Sequence, residues 1–163
     1  MNELTALIDS PVGILKLDQT GDAISAVHFM DEKDIATNTT FPTIQLQDCA
    51  TQLVEYFQGS RTVFGFAIAQ QGTVFQERVW QQLQTVDYGK TISYNQLAIK
   101  LGDPKCIRAA GTANGRNNLA IVVPCHRVIG SDRSLTGYAG GLWRKQWLLE
   151  HEAKFAHGVR TLF

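Results

Sequence analysis

Apolar positions in the first 70 residues alternate or fall in short runs. Residues 4–8 and 12–18 are apolar-rich and are separated by Asp9-Ser10-Pro11, which predicts a hairpin. Ile24, Ala26 and Phe29 predict a further, partly buried strand over residues 23–29, and the aperiodic polar stretch 31–41 reads as a loop. From residue 43 to 57 the period lengthens. Leu46, Cys49, Ala50, Leu53, Val54 and Phe57 recur at helical spacing, and Gly59 lies just past the end. Cys49 sits on that stripe and reads as core. Residues 62–69 predict one more strand, so this part of the chain is a small sheet with a helix against it.

Gln70-Gln71-Gly72 marks a boundary. Thr73 and Gln76 have the spacing of a capping box, and Phe75, Val79, Trp80 and Leu83 follow on one helical face. Asp87-Tyr88-Gly89-Lys90 breaks that helix. A second starts near Thr91 or Ser93, carries Leu97, Ala98 and Leu101, and closes at Gly102. Asp103 then caps a third helix, with Pro104 at its first position. Two short helices around a glycine-containing turn predict a helix-turn-helix. Ala109, Ala110, Gly111, Ala113 and Gly115 give the third helix a small-residue surface, suited either to another helix or to a nucleic-acid backbone. Ile121, Val122 and Val123 predict a short buried strand, which Pro124 ends because it has no N–H for the ladder. After a loop over 130–137, Tyr138-Ala139-Gly140-Gly141 leads into a last helix beginning at Leu142. Trp147, Leu148 and Leu149 lie on its buried side and Glu152 at its end, while residues 153–163 carry no readable pattern. The predicted fold class is α+β: a sheet-plus-helix domain over 1–70, then a mostly helical domain over 71–163.

Charge changes this picture. The 163 residues have a net charge of zero, yet residues 1–57 hold Lys16 and Lys33 against nine acids. Residues 90–147 hold nine bases against two acids, Asp103 and Asp132. The second half is therefore predicted to face an anionic partner. No apolar run approaches membrane-spanning length, and the three widely spaced cysteines make no disulfide framework. Both observations predict a reduced, cytoplasmic protein with no membrane partner.

The candidate chemistry is at Cys125-His126. An ordinary thiol has a pKa of roughly 8.5, so a neutral solution holds little thiolate unless a neighbouring base takes the proton. Cys106 has no second ligand at metal spacing, and His28, His151 and His157 show no ligand pattern, so no metal is expected.

Seven segments carry a resemblance to a known family, in order from Phe75 to Glu152. They are Phe75-Gln76-Glu77-Arg78-Val79-Trp80, Ser93-Tyr94-Asn95-Gln96-Leu97-Ala98, Arg108-Ala109-Ala110-Gly111, Asn114-Gly115-Arg116-Asn117, Pro124-Cys125-His126-Arg127-Val128, Thr136-Gly137-Tyr138-Ala139-Gly140-Gly141-Leu142 and Leu148-Leu149-Glu150-His151-Glu152. In these the chain resembles the O6-alkylguanine-DNA alkyltransferases. The resemblance implies a ribonuclease-H-like N-terminal domain and a winged-helix or helix-turn-helix C-terminal domain. It also implies a monomer that acts, without a cofactor, on double-stranded DNA containing O6-alkylguanine, entered from the minor groove. The damaged base is flipped out, because its O6 substituent cannot be reached inside the stack. Cys125 attacks the alkyl carbon, and His126 serves as base through a linking water. Glu152 orients the imidazole, and Asn117 braces the turn. Tyr94 would donate to guanine N3 and promote rotation of the nucleotide, and Arg108 would enter the duplex in place of the flipped base. Tyr138 would wall the site, the Ala139 N–H would meet O6, and the carbonyls of Cys125 and Val128 would accept from the exocyclic amine. Gly111 and Arg116 fall in the matched DNA-contacting segments.

Two departures stand out: Asn118 occupies a position where relatives commonly have proline, and Asp132-Arg133 replaces a glycine-containing turn. Two other readings are open at this point. One is a binding-only relative, which would lack the cysteine; the other is a hydrolase using Cys125, His126 and Glu152.

Overall fold

The computed structural model describes residues 3–158 and divides them into two compact units. The first comprises the chain up to Gln70 together with Asn118–Val122; the second comprises Gln71–Asn117 and the chain from Val123 onward. The return of residues 118–122 to the first unit interrupts what the sequence presents as one uninterrupted second domain.

In the first unit β1 (Glu3–Ile8), β2 (Ile14–Thr20) and β3 (Ala23–Met30) form an antiparallel sheet in the order β1-β2-β3. Gly13, at φ 100°, makes the turn into β2. Helix α1 (Ile44–Phe57) packs its apolar stripe on β2 and β3, burying Leu46, Cys49, Ala50, Leu53 and Tyr56. The Thr43 side chain caps it by accepting from Leu46 N–H, and Gly59, at φ 84°, ends it. Cys49 is core, and burial pushes its thiol up to about 12.

Two predicted strands do not form as such. Residues 62–69 touch the sheet only at Ile68, a single parallel bridge to Ile24, with Ile24 N–H donating to Ala67 O and Ala69 N–H to Ile24 O. Further back the Gln52 side chain takes the Gly65 N–H at 2.7 Å, so the backbone there is satisfied without a ladder. Residues 121–123 are a turn. Ile121 stands at φ 71°, a rare conformation for a β-branched residue, and the Val122 N–H bonds back to Ala120 O at 2.8 Å. Ile121 and Val123 are buried as expected, but by coiling rather than by pairing.

The second unit holds α2 (Val74–Leu83), β4 (Ile92–Ser93), α3 (Tyr94–Lys100), α4 (Ile107–Gly115), β5 (Val128–Ile129) and α5 (Leu142–His157). The predicted cap at Thr73 is a complete capping box with Gln76, and of the two possible starts for the next helix Ser93 is the cap, in a second capping box with Gln96. Asp103 and Pro104 open a 3₁₀ turn over Pro104–Cys106 rather than α4 itself. Ala110 and Ala113 face inward, and Trp80 Nε1 donates to Ala113 O at 3.0 Å, while Ala109 and Gly115 are exposed. The small residues thus serve a close α2–α4 packing on one face and leave the other face open. Strands β4 and β5 pair in parallel, Ile92 with Val128 and Ser93 with Ile129. Helix α5 continues through residues 153–157, so Glu152 lies in its interior and not at its end; residues 159–163 of the unpatterned tail lie outside the described residues.

Candidate active site

Cys125 opens a short 3₁₀ turn, Cys125–Arg127, between Pro124 and β5. The turn is held at its start by Asn117, whose Nδ2 donates to Val123 O at 2.8 Å and reaches Cys125 Sγ at 3.2 Å. Asn114 Nδ2 donates to Cys125 O at 3.3 Å, and the Val128 N–H donates to the same oxygen. That carbonyl therefore has both lone pairs engaged, which bears on its expected role toward a guanine amine. Val128 itself is fully buried in β5.

His126 points from the turn to α5. Its Nε2 lies 2.7 Å from Glu152 Oε2, and both residues are buried. Arg127, two residues after the cysteine, closes on the same carboxylate, with Nε 2.8 Å from Oε1 and Nη2 3.1 Å from Oε2. Its Nη1 donates to Val86 O at 2.7 Å, and its guanidinium lies over the Tyr88 ring.

Burial opposes a charged Glu152, but His126 and Arg127 overcome it and hold the carboxyl well below the usual range. Burial also holds His126 below the ordinary histidine range. Glu152 pulls it up, while Arg127 and Lys145 push it down. With Arg127 already neutralising Glu152, the imidazole is neutral. Its Nε2–H then donates to Glu152, and Nδ1, which has no protein partner among the described residues, presents a lone pair. Burial raises the Cys125 thiol, while the Asn117 side chain and the Lys145 charge lower it. The resting sulfur is therefore a thiol, and the neighbouring imidazole is neutral.

The Tyr138 hydroxyl is buried near Cys125, whose charge would raise its pKa, and Ala139 is exposed beside it. The Tyr94 hydroxyl donates to Thr136 O at 3.3 Å, and Gly111 lies against the Tyr94 ring, where a Cβ would stand 3.7 Å from it. Arg108 and Arg116 are exposed on and just past α4, away from the buried cluster. Asn117 with Cys125, and His126 with Glu152, therefore form two bonded pairs joined through the Cys125–His126 peptide, with Tyr138 near the sulfur.

Arg127 joins the second pair through Glu152, and Lys145 is buried on the same helix as Glu152; the charge pattern along the chain groups both with the bases that face a partner. Of the nine bases in residues 90–147, Arg127, Arg144 and Lys145 are buried, leaving six to face solvent. The departures have local explanations. Arg133 adopts φ 67°, the conformation a glycine would take more easily, within a turn tied by Asp132 accepting from Ser134. The Asn118 N–H donates to Gln70 Oε1 at 2.9 Å, a bond that proline could not make.

Family models match both parts of the chain. Residues 4–70 match the ribonuclease-like domain of 6-O-methylguanine DNA methyltransferase, and residues 74–154 match its DNA binding domain. The chain belongs to this family. It is 42% identical over 158 residues to a methylated-DNA–protein-cysteine methyltransferase of Mycolicibacterium paratuberculosis, covering 96% of each. It is 43% identical over 138 residues to the constitutive enzyme of that name from Bacillus subtilis, covering 81% of this chain and 84% of the relative. Among solved structures it is similar to the Mycobacterium tuberculosis OGT in complex with DNA, with a TM-score of 0.83, 41% identity and 93% of each chain covered. The α+β architecture agrees with that neighbour. Among the described residues no helix is long and apolar enough to cross a membrane.

Proposed function

We propose that the protein repairs DNA by direct reversal, moving the alkyl group of O6-alkylguanine, and of O4-alkylthymine where it fits, from duplex DNA to Cys125. The observation that carries this reading is the set of bonds between Asn117 and Cys125 and between Glu152 and both His126 and Arg127, in a chain of this family. His126 Nδ1 takes the thiol proton, and Glu152 steadies the imidazolium that forms. The sulfur attacks the alkyl carbon and guanine leaves. The product is a thioether, with no activated carbonyl and no good leaving group, so water does not restore the thiol. One molecule performs one transfer.

Lys100, Lys105, Arg108 and Arg116, exposed on and around α3 and α4, supply charge for phosphates, which makes binding weaken as salt rises. In this reading Arg108 fills the gap left by the flipped base, and Tyr94 turns from Thr136 toward the substrate. Val128, Tyr138, Ala139 and Gly111 shape the space around the base, and Arg116 meets the backbone. A monomer acting from the minor groove in the reducing cytoplasm needs no metal or cofactor, because the substrate carries its own leaving group.

The test mixes the protein with duplex containing O6-methylguanine and maps the adduct by mass spectrometry. The expected result is one methyl in place of one proton on the peptide containing Cys125, with at most one equivalent transferred. Repeated turnover would assign the site to a hydrolase instead.

A further inference from the structure

Buried polar atoms almost always have a hydrogen-bond partner, so one without a partner calls for a reason. The lone pair on His126 Nδ1 has one, the proton of the thiol. Asn114 Oδ1 does not. Asn114 lies on the inner face of α4, 3% exposed, and its Oδ1 meets no donor among the described residues. The orientation of this amide is set by its neighbour. A carbonyl oxygen can only accept, so Asn114 turns Nδ2 toward Cys125 O, at 3.3 Å, and its Oδ1 is kept away from that oxygen.

Tyr94 borders the same stretch of α4. Gly111, one turn before Asn114, lies against the Tyr94 ring, where a Cβ would stand 3.7 Å away. The Asn114 side chain is also close enough to lower the pKa of the Tyr94 hydroxyl, against the effect of its burial. That hydroxyl donates to Thr136 O at 3.3 Å, a long bond for a hydroxyl, and Thr136 is exposed. Releasing it leaves a hydroxyl donor and an amide acceptor as neighbours.

Guanine carries the complementary pair. On its minor-groove edge N3 accepts and the adjoining exocyclic amine donates, whereas adenine and thymine show only acceptors there. The Cys125 carbonyl, to which the family resemblance gives that amine, already accepts from Asn114 Nδ2 and from the Val128 N–H. The amine therefore needs another acceptor, and the buried amide oxygen needs a donor.

We propose that Asn114 is a specificity-determining residue: its Oδ1 accepts from the exocyclic amine of the extruded guanine while the neighbouring Tyr94 hydroxyl donates to N3. The proposal rests on the alkyl-transfer reading and deepens it, making alkylated guanine the matching base and alkylated thymine a mismatched one. O4-alkylthymine has no donor on this edge and leaves Oδ1 unpaired in a buried site, which is how a polar site rejects an analogue lacking the group it was built to bind.

The test uses the full chain and three duplexes, containing O6-methylguanine, O6-methylhypoxanthine (the same base without the amine) or O4-methylthymine. The unaltered protein should accept methyl from the first at least about tenfold faster than from the second. In Asn114→Leu, close in volume but without an acceptor, that ratio should fall toward one, and the preference over O4-methylthymine should shrink with it. An asparagine that only holds the Cys125 carbonyl would slow all three alike and leave the ratios unchanged. Because the variant can fail to fold, a second measurement keeps Asn114 in place. In Cys125→Ala, the side-chain carbonyl ¹³C resonance of Asn114 should move further on binding the O6-methylguanine duplex than on binding the O6-methylhypoxanthine duplex. Equal rates on those two substrates in the unaltered protein, an unchanged ratio in folded Asn114→Leu, or equal resonance shifts overturns the proposal. Failure of the unaltered protein to accept methyl from any duplex is read separately and bears on the function itself.

Discussion

Arg127→Met tests whether the arginine sets the charge state of the relay. It removes a guanidinium bonded to Glu152 Oε1 at 2.8 Å, Glu152 Oε2 at 3.1 Å and Val86 O at 2.7 Å, and puts a flexible apolar chain in its place. Glu152, 1% exposed, keeps His126 at 2.7 Å and the distant Gly89 N–H at 3.5 Å but loses the guanidinium. Removing one partner of a buried ion pair costs about 3–5 kcal/mol, a large share of the ~5–15 kcal/mol that stabilises a typical domain. The penalty should vary with pH in a definite direction. In the unaltered protein burial, with help from Arg127, keeps His126 below the ordinary range. Without Arg127 the Glu152 charge acts on the ring with one opposing cation fewer and raises its pKa. A histidine raised in the folded state contributes stability below its unfolded value of about 6.5 and loses it as pH rises through the folded value. Urea unfolding should therefore show the largest deficit near pH 8, shrinking below about pH 6 as imidazolium replaces guanidinium. The pH–rate curve for alkyl transfer should move to higher pH, because the base is now occupied by a proton. A deficit under about 1 kcal/mol at every pH, with an unmoved rate curve, would refute the reasoning.

Asn117→Ala removes the 2.8 Å bond to Val123 O and the N–H facing the sulfur, so burial should raise the Cys125 thiol further. Iodoacetamide reactivity at neutral pH should fall, with a stability loss of about 1 kcal/mol in urea; unchanged reactivity would show that Asn117 only shapes the turn. Gly89→Ala should lower the melting temperature more than Gly102→Ala does. Both glycines have positive φ, 77° and 89°, but a Cβ at 89 meets Ala156 Cβ at 2.5 Å while one at 102 meets nothing. The shared backbone strain is worth roughly 1–3 kcal/mol, and equal melting temperatures would mean that α5 yields freely at Ala156.

What the sequence made legible follows from which forces leave a local pattern. The α1 stripe, the Thr73 capping box and the turn at Gly102 were readable because each depends on residues a few positions apart. The turn at Ile121 was not, because an apolar run shows burial without saying whether a ladder or a coil achieves it. Strands β4 and β5, two residues each, leave no period at all. In the site, Cys125-His126 is visible as a dipeptide, and Glu152 entered through family resemblance, since a glutamate on a helix ordinarily reads as solvated. Arg127 and Lys145 were hidden for the same reason: composition marks lysine and arginine as surface residues, and only distances reveal the Arg127–Glu152 ion pair and the Lys145 bond to Thr136 O.

The return of residues 118–122 to the first unit means that no single cut separates the two halves. A fragment beginning at Gln71 would carry Leu119 and Ile121, 0% and 1% exposed in the intact protein, with the Leu119 bridge to Val27 gone. Those side chains precede the nucleophile by only a few positions, so their loss of shelter falls on the peptide that presents the sulfur. Shuffling halves between homologues therefore requires grafting this five-residue insert along with its host.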